Sequence, residues 1–268
     1  MFDAEITMLG TGSAFPVRSY NTCFLLRTTD LLLLVDAGGG NGIIERIHAA
    51  GTNPADIPDM FITHAHTDHI LGAVWIIRSW INAEIAGNGA RRTIYGNRDV
   101  IEAITEICRL TLLKSHFDIF RKTVTLHTVA HDYRISFGQT DIRFIDCRCT
   151  NVNQTGLDIT LPSGTRLVCL GDEALSEANS HEAEQAQWLM CGAFCRHADA
   201  DIYHPYEKHH RTVLDVARQA EKAGIANLVL YHSEDRTPCR QDAYRAEAAQ
   251  AFSGNIIVPD DGDTITIV

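Results

Sequence analysis

The sequence predicts an α/β protein in which two β-sheets are flanked by helices within a single domain over residues 1–268. Three observations support this fold class: strands alternate with helices, the alternation falls into two similar halves, and no linker or low-complexity tract separates the halves. With 45% hydrophobic and 21% charged residues, the chain has ample material to bury a core.

Short apolar runs bounded by glycine or polar turns predict the strands of the first half. They cover residues 5–9, 22–27, 31–35 and 59–63. Helices are expected over residues 42–50 and 70–81, and Asn97 is expected to cap a helix that ends near Leu112. Because residues 70–81 are apolar on nearly all sides, that helix is predicted to be buried.

The second half repeats this organisation with several strands that alternate every two residues. Helices are expected over residues 212–223 and 240–252. The predicted strands cover residues 123–129, 141–147, 156–161, 166–170, 227–231, 256–258 and 264–267.

The net charge of −11, from 34 acidic and 23 basic residues, disfavours a broad nucleic-acid-binding surface. Arg91-Arg92 and the pair Lys208 and Arg211 are the candidates for a local basic mouth. The start of the chain has no secretory pattern and the longest apolar run, residues 31–35, is too short to span a membrane, so a cytoplasmic protein without a membrane partner is expected.

Eight cysteines without a secretory signal predict reduced thiols and not a disulfide framework. The pairs Cys147/Cys149 and Cys191/Cys195 lack the two-residue spacing of zinc knuckles. They are therefore interpreted as small buried hydrophobic residues.

The most informative segment places three histidines and an aspartate within six consecutive positions after a strand: His64, His66, Asp68 and His69. Imidazole nitrogen and carboxylate oxygen suit zinc and its first-row neighbours. A polar loop that caps the next helix would explain one of these residues but not all four. The segment predicts a site for one metal or two.

Two further ligand-type residues follow apolar strands. Asp172 comes after the strand over residues 166–170, and His232 comes after the strand over residues 227–231. Alone, Asp172 could be a turn or cap residue and His232 a hydrogen-bonded strand-end histidine. Because both follow strand ends, as His64 and His66 do, all are expected at one edge of the sandwich.

With these residues in place, the chain resembles the metallo-β-lactamase-fold hydrolases, and within them the ribonuclease Z-like branch. The resemblance covers nearly the whole chain, and it implies a four-layer α/β/β/α sandwich with a dinuclear site at one edge. The matching landmarks are Leu9-Gly10-Thr11-Gly12-Ser13, Val35-Asp36-Ala37-Gly38, His64-x-His66-x-Asp68-His69, Gly171-Asp172 and Leu230-Tyr231-His232.

The resemblance also implies roles for the ligand-type residues. Two divalent ions are expected, with zinc as the first choice and manganese or iron left open. Asp68 is expected to orient the attacking water in addition to binding metal. By this carry-over, one metal is held by His64 and His66, the other by Asp68, His69 and His232, and Asp172 bridges them.

The chain departs from the family at the position of a third metal-binding histidine. The segment over residues 147–154 contains no histidine; Arg148 aligns best and its permanently charged guanidinium is not a metal ligand. Cys149 and Asn151 are candidate replacements, and a weak or missing first metal is left open. The family's His-Ser-Thr segment appears as His210-Arg211-Thr212, which makes His210 the candidate general acid or phosphate contact.

The expected function is that of a metal-dependent phosphodiesterase that uses a metal-bound hydroxide at a dinuclear site. Its substrate is expected to be a small or nucleotide-type phosphodiester, and extended nucleic acid is disfavoured. A lactone or thioester hydrolase is an alternative on the same fold, and a degenerate binding protein with one metal or none is another. Members of the resembling family are often dimers, so a homodimer is left open.

Overall fold

Two seven-stranded sheets form the centre of the computed structural model, which describes residues 3–268. The first sheet contains β1 (Ala4–Gly10), β2 (Cys23–Arg27), β3 (Leu32–Val35), β4 (Asp59–Phe61), β5 (Arg92–Gly96), β6 (Val124–Thr128) and β14 (Thr264–Ile267). The second contains β7 (Arg134–Phe137), β8 (Thr140–Asp146), β9 (Thr155–Thr160), β10 (Arg166–Cys169), β11 (Trp188–Gly192), β12 (Asn227–Tyr231) and β13 (Asn255–Ile257).

The two sheets have matching topologies. The order is β14-β1-β2-β3-β4-β5-β6 in the first sheet and β13-β12-β11-β10-β9-β8-β7 in the second. In the first sheet, the strands from β14 to β3 are antiparallel and those from β3 to β6 are parallel. In the second, the strands from β7 to β10 are antiparallel and those from β10 to β13 are parallel. The two similar halves predicted from the sequence thus correspond to two similar sheets.

Helices cover the outer face of each sheet. They are α1 (Gly42–Ala49), α2 (Thr67–Ile70), α3 (Ala73–Ile85), α4 (Arg98–Thr111), α5 (Lys114–Thr123), α6 (Ser180–Ala183), α7 (Ala200–Tyr203), α8 (Val213–Lys222) and α9 (Arg240–Ala248). Buried side chains of α1, α3, α4 and α5 share an apolar cluster with the first sheet, and those of α8 and α9 share one with the second. A third cluster lies between the sheets. The predicted four-layer α/β/β/α sandwich is therefore confirmed.

Aromatic packing joins the inner faces of the sheets. The rings of Phe61 on β4 and Phe144 on β8 lie 5.4 Å apart in an edge-to-face arrangement, and both side chains are almost fully buried. Thr155 N on β9 donates to the carbonyl of Thr63, just beyond β4. The residues after β4 are thereby held against the second sheet.

The predicted helix starts are largely confirmed. Asn97 Oδ1 accepts a 3.1 Å hydrogen bond from Val100 N at the start of α4. Thr212 caps α8 in a capping box with Asp215. Within residues 3–268, no helix has both the length and the apolar character required to cross a membrane.

The predicted helix over residues 70–81 differs from the structure. The chain instead forms α2 and α3, separated by Leu71 and Gly72. Gly72 N donates to the carbonyl of Gly38, and only glycine fits there because a side chain would collide with the carbonyl of Ala37. Trp80 is buried as predicted, whereas Trp75 is 39% exposed. The helix is therefore buried on one face only.

Six elements were not predicted from the sequence, namely β5, β7, β11, α5 and the one-turn helices α6 and α7. The strands β5 and β11 are buried along most or all of their length, so they show no two-residue alternation. By contrast, β7 is an edge strand with half-buried and exposed residues, and α5 buries only Phe120 completely. All eight cysteines are free; Cys147, Cys191 and Cys195 are buried, in line with their interpretation as small apolar residues, whereas that interpretation is wrong for Cys149, which is only half-buried.

Candidate metal centre

The ligand-type residues predicted from the sequence meet at one edge of the sandwich. His64 lies just beyond β4, Asp172 beyond β10 and His232 beyond β12. These strands lie in the parallel parts of the two sheets, so their carboxyl ends reach a common edge. The single turn of α2 then brings Asp68 and His69 back toward the same point. The expected convergence at one edge is therefore observed.

The donor atoms form two compact groups. The first contains His64, His66 and Asp172, and the second contains Asp68, His69 and His232; within each group the ligand atoms lie within 4.8 Å of one another. His64 Nε2 is 2.9 Å from His66 Nδ1. Asp68 Oδ2 is 3.2 Å from His69 Nε2.

Asp172 lies between the two groups. Its Oδ2 atom is 3.5 Å from His64 Nε2 and 3.7 Å from the Nε2 atoms of both His69 and His232. One carboxylate oxygen thus faces an imidazole nitrogen of the first group and two of the second.

Asp36 belongs to neither donor group but orients ligand-type histidines through hydrogen bonds. Its Oδ2 atom accepts a 2.7 Å hydrogen bond from His69 Nδ1, and its Oδ1 atom accepts a 2.8 Å hydrogen bond from Thr63 N. Because the Nδ1 proton of His69 is held by Asp36, the Nε2 atom of that ring is directed into the site.

Threonine hydroxyls set two more histidines in the same way. Thr63 Oγ1 lies 3.0 Å from the Asp36 carboxylate and 2.9 Å from His64 Nδ1. A hydroxyl has one proton, so it donates to the carboxylate and accepts from His64. Thr22 Oγ1 donates to the carbonyl of Gly12 and accepts from His232 Nδ1 at 3.2 Å. With the proton of each ring on Nδ1, both Nε2 atoms face the other donor atoms.

The donor set fits a divalent metal. His69 Nε2 is fully buried and, among residues 3–268, has no hydrogen-bond partner of acceptable geometry, although Asp68 Oδ2 is close. A buried polar nitrogen without a partner is costly. Burial alone would lower the pKa of His69, but Asp36, Asp68 and Asp172 together raise that pKa well above its ordinary value. The same negative charge favours a bound cation.

Burial and charge act in opposite directions on the neighbouring groups. Burial lowers the pKa of His64 to about 4 and the pKa of His232 to about 3. Burial alone would raise the pKa of Asp172, but His64, His232 and His69 hold that pKa well below its usual range. Neutral imidazoles beside an ionised carboxylate are the forms that ligate zinc.

A cavity of about 170 Å³, here called the metal cavity, opens onto the donor atoms. Cys149 and Asn151 line it, whereas Arg148 does not. His210 also lines it; its ring stacks on Phe194 at 5.0 Å and lies 5.3 Å from the ring of His232. His210 therefore reaches the site, and burial lowers its pKa.

A second cavity of about 160 Å³, here called the side pocket, adjoins the first and shares Glu173, His209 and His210 with it. The loop that carries Arg148 contacts the loop that carries His209, because Thr150 Oγ1 lies 3.2 Å from His209 Nδ1. Arg148 and Arg211 both line the side pocket.

Of the two candidates for a basic mouth at the site, the prediction for Arg91-Arg92 is wrong. Arg91 pairs with Asp59 at 2.8 Å, and Arg91 and Arg92 lie where β5 begins, at the opposite end of these strands from the metal-ligand cluster. By contrast, Lys208 lines the metal cavity and Arg211 lines the side pocket.

Several backbone positions around the site have positive φ angles. The values are 56° for Asp36, 58° for Arg148, 63° for His209, 52° for His232 and 64° for Gly171. Non-glycine residues adopt this conformation at an energetic cost, and such positions cluster at functional sites.

The residues that position the ligand-type side chains were not predicted from the sequence. Asp36 belongs to a landmark of the resembling family, but its hydrogen bond to His69 was not anticipated. Thr63 and Thr22 gave no separate signal, because a threonine at a strand end is common. A buried carboxylate directly after a strand, as Asp36 is after β3, is the available signal.

Comparison with known proteins gives a matching family and a relative of similar length. A family model described as "Anti-Pycsar protein Apyc1" matches residues 4–240. A protein named Ribonuclease Z from Mycobacterium bovis (strain BCG / Pasteur 1173P2) is 28% identical over 276 residues and covers 96% of each chain.

Solved structures show the same fold. The metallo-β-lactamase fold protein YhfI from Bacillus subtilis superimposes with a TM-score of 0.78 at 22% identity, covering 98% of this chain and 99% of its own. Zn(2+)-bound PqqB from Methylobacterium extorquens superimposes with a TM-score of 0.75 at 15% identity, covering 97% and 99%. The predicted metallo-β-lactamase fold and the predicted similarity to Ribonuclease Z are therefore confirmed.

Proposed function

This chain belongs to the family of the anti-Pycsar protein Apyc1, and we propose that it is a metal-dependent phosphodiesterase that hydrolyses a small nucleotide-type phosphodiester at a dinuclear site. One observation carries the proposal: two groups of donor atoms share Asp172 between them. The proposed ligands come from both sheets, so the proposal treats residues 1–268 as one functional domain. The curated relative named Ribonuclease Z supports phosphodiester chemistry.

The ligand assignment follows the two groups. His64 and His66 would hold the first metal, Asp172 would bridge, and the second metal would be held by Asp68, His69 and His232. Zinc is the proposed ion, because histidines and carboxylates suit it and because the PqqB structure of the same fold is zinc-bound. When bound, two such ions supply an activated water at neutral pH and polarise the phosphoryl oxygen.

The side chains would position the reactants around the phosphodiester. Asp68 accepts a hydrogen bond from the attacking water and orients it toward phosphorus. His210, held flat against Phe194, donates an N–H hydrogen bond to the leaving oxygen. In its neutral form His210 still has one ring N–H, so its lowered pKa is compatible with this role.

Charge at the site favours a phosphate over the acyl substrates of a lactonase or thioesterase. Besides the proposed ligands and Glu173, the cavity is lined by Lys208, His209 and His210, and its aliphatic lining among residues 3–268 consists of Ala14 and Val152. Cationic and imidazole walls bind phosphate oxygens, whereas an acyl chain requires an apolar wall. Extended nucleic acid is disfavoured by the net charge of −11.

The test combines metal content with turnover. Purified protein should contain about two metal ions per chain by inductively coupled plasma mass spectrometry and should hydrolyse bis(p-nitrophenyl) phosphate. Chelation should abolish turnover and zinc should restore it. The variant Asp172→Asn should lose both activity and metal. The control Asp59→Asn should keep both, because Asp59 is a buried carboxylate that pairs with Arg91 at the far end of β4.

One metal or none, with no hydrolysis by the wild-type protein after zinc is added, would contradict the proposal. That result would favour the alternative of a degenerate binding protein.

A further inference from the structure

We propose that the side pocket binds a second phosphate group of the substrate, so that the preferred substrate is a small nucleotide phosphodiester that carries an additional phosphate. This inference rests on the proposed function, because it concerns the same substrate. The polar residues that line the side pocket include Arg148, Thr150, Glu173, Ser176, His209 and Arg211.

The side pocket adjoins the metal cavity. Glu173, His209 and His210 line both spaces, and the inference places one molecule across them. The volume of about 160 Å³ accommodates a phosphate group. A substrate whose reacting phosphate lies at Asp172 would therefore place a neighbouring group beyond His210.

The lining of the side pocket is suited to an anion. Two arginines, Arg148 and Arg211, enter it from different loops. The planar guanidinium group presents paired donors that match phosphate oxygens. Hydroxyl groups of Thr150 and Ser176 add neutral donors.

Two of the three cations near the side pocket pack against aromatic rings and form no salt bridge within residues 3–268. Arg211 lies 5.9 Å above the ring of Tyr206, and Lys208 lies 5.0 Å above the ring of Phe194. Within residues 3–268, neither has a carboxylate at ion-pair distance. Arg148 has one partner, Asp146, at 3.4 Å. In a chain of net charge −11, such cations beside the metal cavity concentrate an anionic substrate there.

Two carboxylates lie close to these cations without forming a salt bridge to Arg211 within residues 3–268. Asp215 accepts hydrogen bonds from Tyr206 and from Thr212 in the cap of α8. Glu173 lines both cavities, and the charge of Arg211 favours its ionised form. A bound phosphate would therefore have no salt bridge of Arg211 to displace.

Binding of two product-like nucleotides tests the inference without turnover. Isothermal titration calorimetry on the zinc-loaded protein would compare thymidine 3′,5′-bisphosphate with thymidine 5′-monophosphate. The bisphosphate should bind at least about tenfold more tightly, because one additional charge-assisted hydrogen bond contributes about that much affinity. In Arg211→Gln this affinity ratio should fall to near one, and Arg148→Gln should also lower it.

Arg218→Gln is the matched control, because Arg218 lies on α8 and lines an outer groove but not the side pocket. It removes the same charge and should preserve the ratio. Equal affinities, or no binding of either nucleotide by the wild-type protein, would overturn the inference. Failure to hydrolyse bis(p-nitrophenyl) phosphate would instead count against the proposed function, since that ester has no second phosphate.

Discussion

Asp36 accepts a 2.7 Å hydrogen bond from Nδ1 of His69, and both side chains are almost completely buried. The contact fixes which nitrogen of His69 faces the candidate metal centre. The same carboxylate accepts hydrogen bonds from the backbone and the hydroxyl of Thr63, which in turn holds His64. A single aspartate outside both donor groups thus orients one histidine in each.

Asp36→Asn should lower zinc affinity about 10- to 100-fold, because loss of such a supporting carboxylate loosens the histidine it orients. Competition with a chromogenic chelator measures the affinity. Asp59→Asn, which removes another buried carboxylate of the first sheet, should leave zinc affinity unchanged. Equal zinc affinity in Asp36→Asn and wild type would show that Asp36 does not support the metal.

Asp68→Ala should reduce kcat/KM for bis(p-nitrophenyl) phosphate by about 100-fold or more, since it removes both a proposed ligand and the group that orients water. Metal analysis of the same sample should show a loss of bound metal. Asp118→Ala, in which an ion-paired carboxylate on α5 is removed, serves as the control. Wild-type activity in Asp68→Ala would exclude Asp68 from catalysis.

The missing third histidine leads to a prediction about the loop over residues 147–154. Arg148→His should not raise zinc affinity, because position 148 lines the side pocket and not the metal cavity. Cys149→His should raise it, because Cys149 lines the cavity beside His66 and Asp172. Zinc titrations of the two variants, compared with wild type, measure the difference. A gain for Arg148→His alone would mean that the loop is arranged differently around the metals.

Asp235 fixes the loop that follows β1, and its contribution should depend on pH. Its Oδ2 atom accepts backbone hydrogen bonds from Val17, Arg18 and Ser19 at 2.7, 2.5 and 3.0 Å. Burial alone would raise the pKa of Asp235, but these three hydrogen bonds lower it. A lowered folded-state pKa stabilises the fold above the unfolded-state pKa, and that stability is lost as the pH falls through the folded-state value.

Asp235→Asn should therefore lower the free energy of unfolding by about 1 kcal/mol at pH 7. The difference in free energy of unfolding between Asp235→Asn and wild type should have its full size above about pH 5. It should shrink below about pH 4, as the wild-type carboxyl group becomes protonated. Urea unfolding at several pH values measures it. Asp242→Asn, at an exposed carboxylate on α9, should show little effect at any pH. A gap that widens toward low pH would contradict the assigned role of Asp235.

The sequence determined most of the element order and much of the donor set. Helix caps such as Asn97 are local features, so they could be predicted from neighbouring residues. His64, His66, Asp68 and His69 lie close together in the chain, and a short turn suffices to bring them to one point. The buried strands β5 and β11 were missed because burial on both faces removes the alternation that identifies a strand.

Only the tertiary structure decided how distant residues meet. Asp172 and His232 approach His64 because β10 and β12 end at the same edge as β4, and strand order is not encoded in any local pattern. The same edge brings Arg148 and Arg211 together in the side pocket. Short-range sequence patterns report hydrogen bonding and burial along one segment, whereas the shape and charge of a site depend on segments that become neighbours only when the sheets assemble.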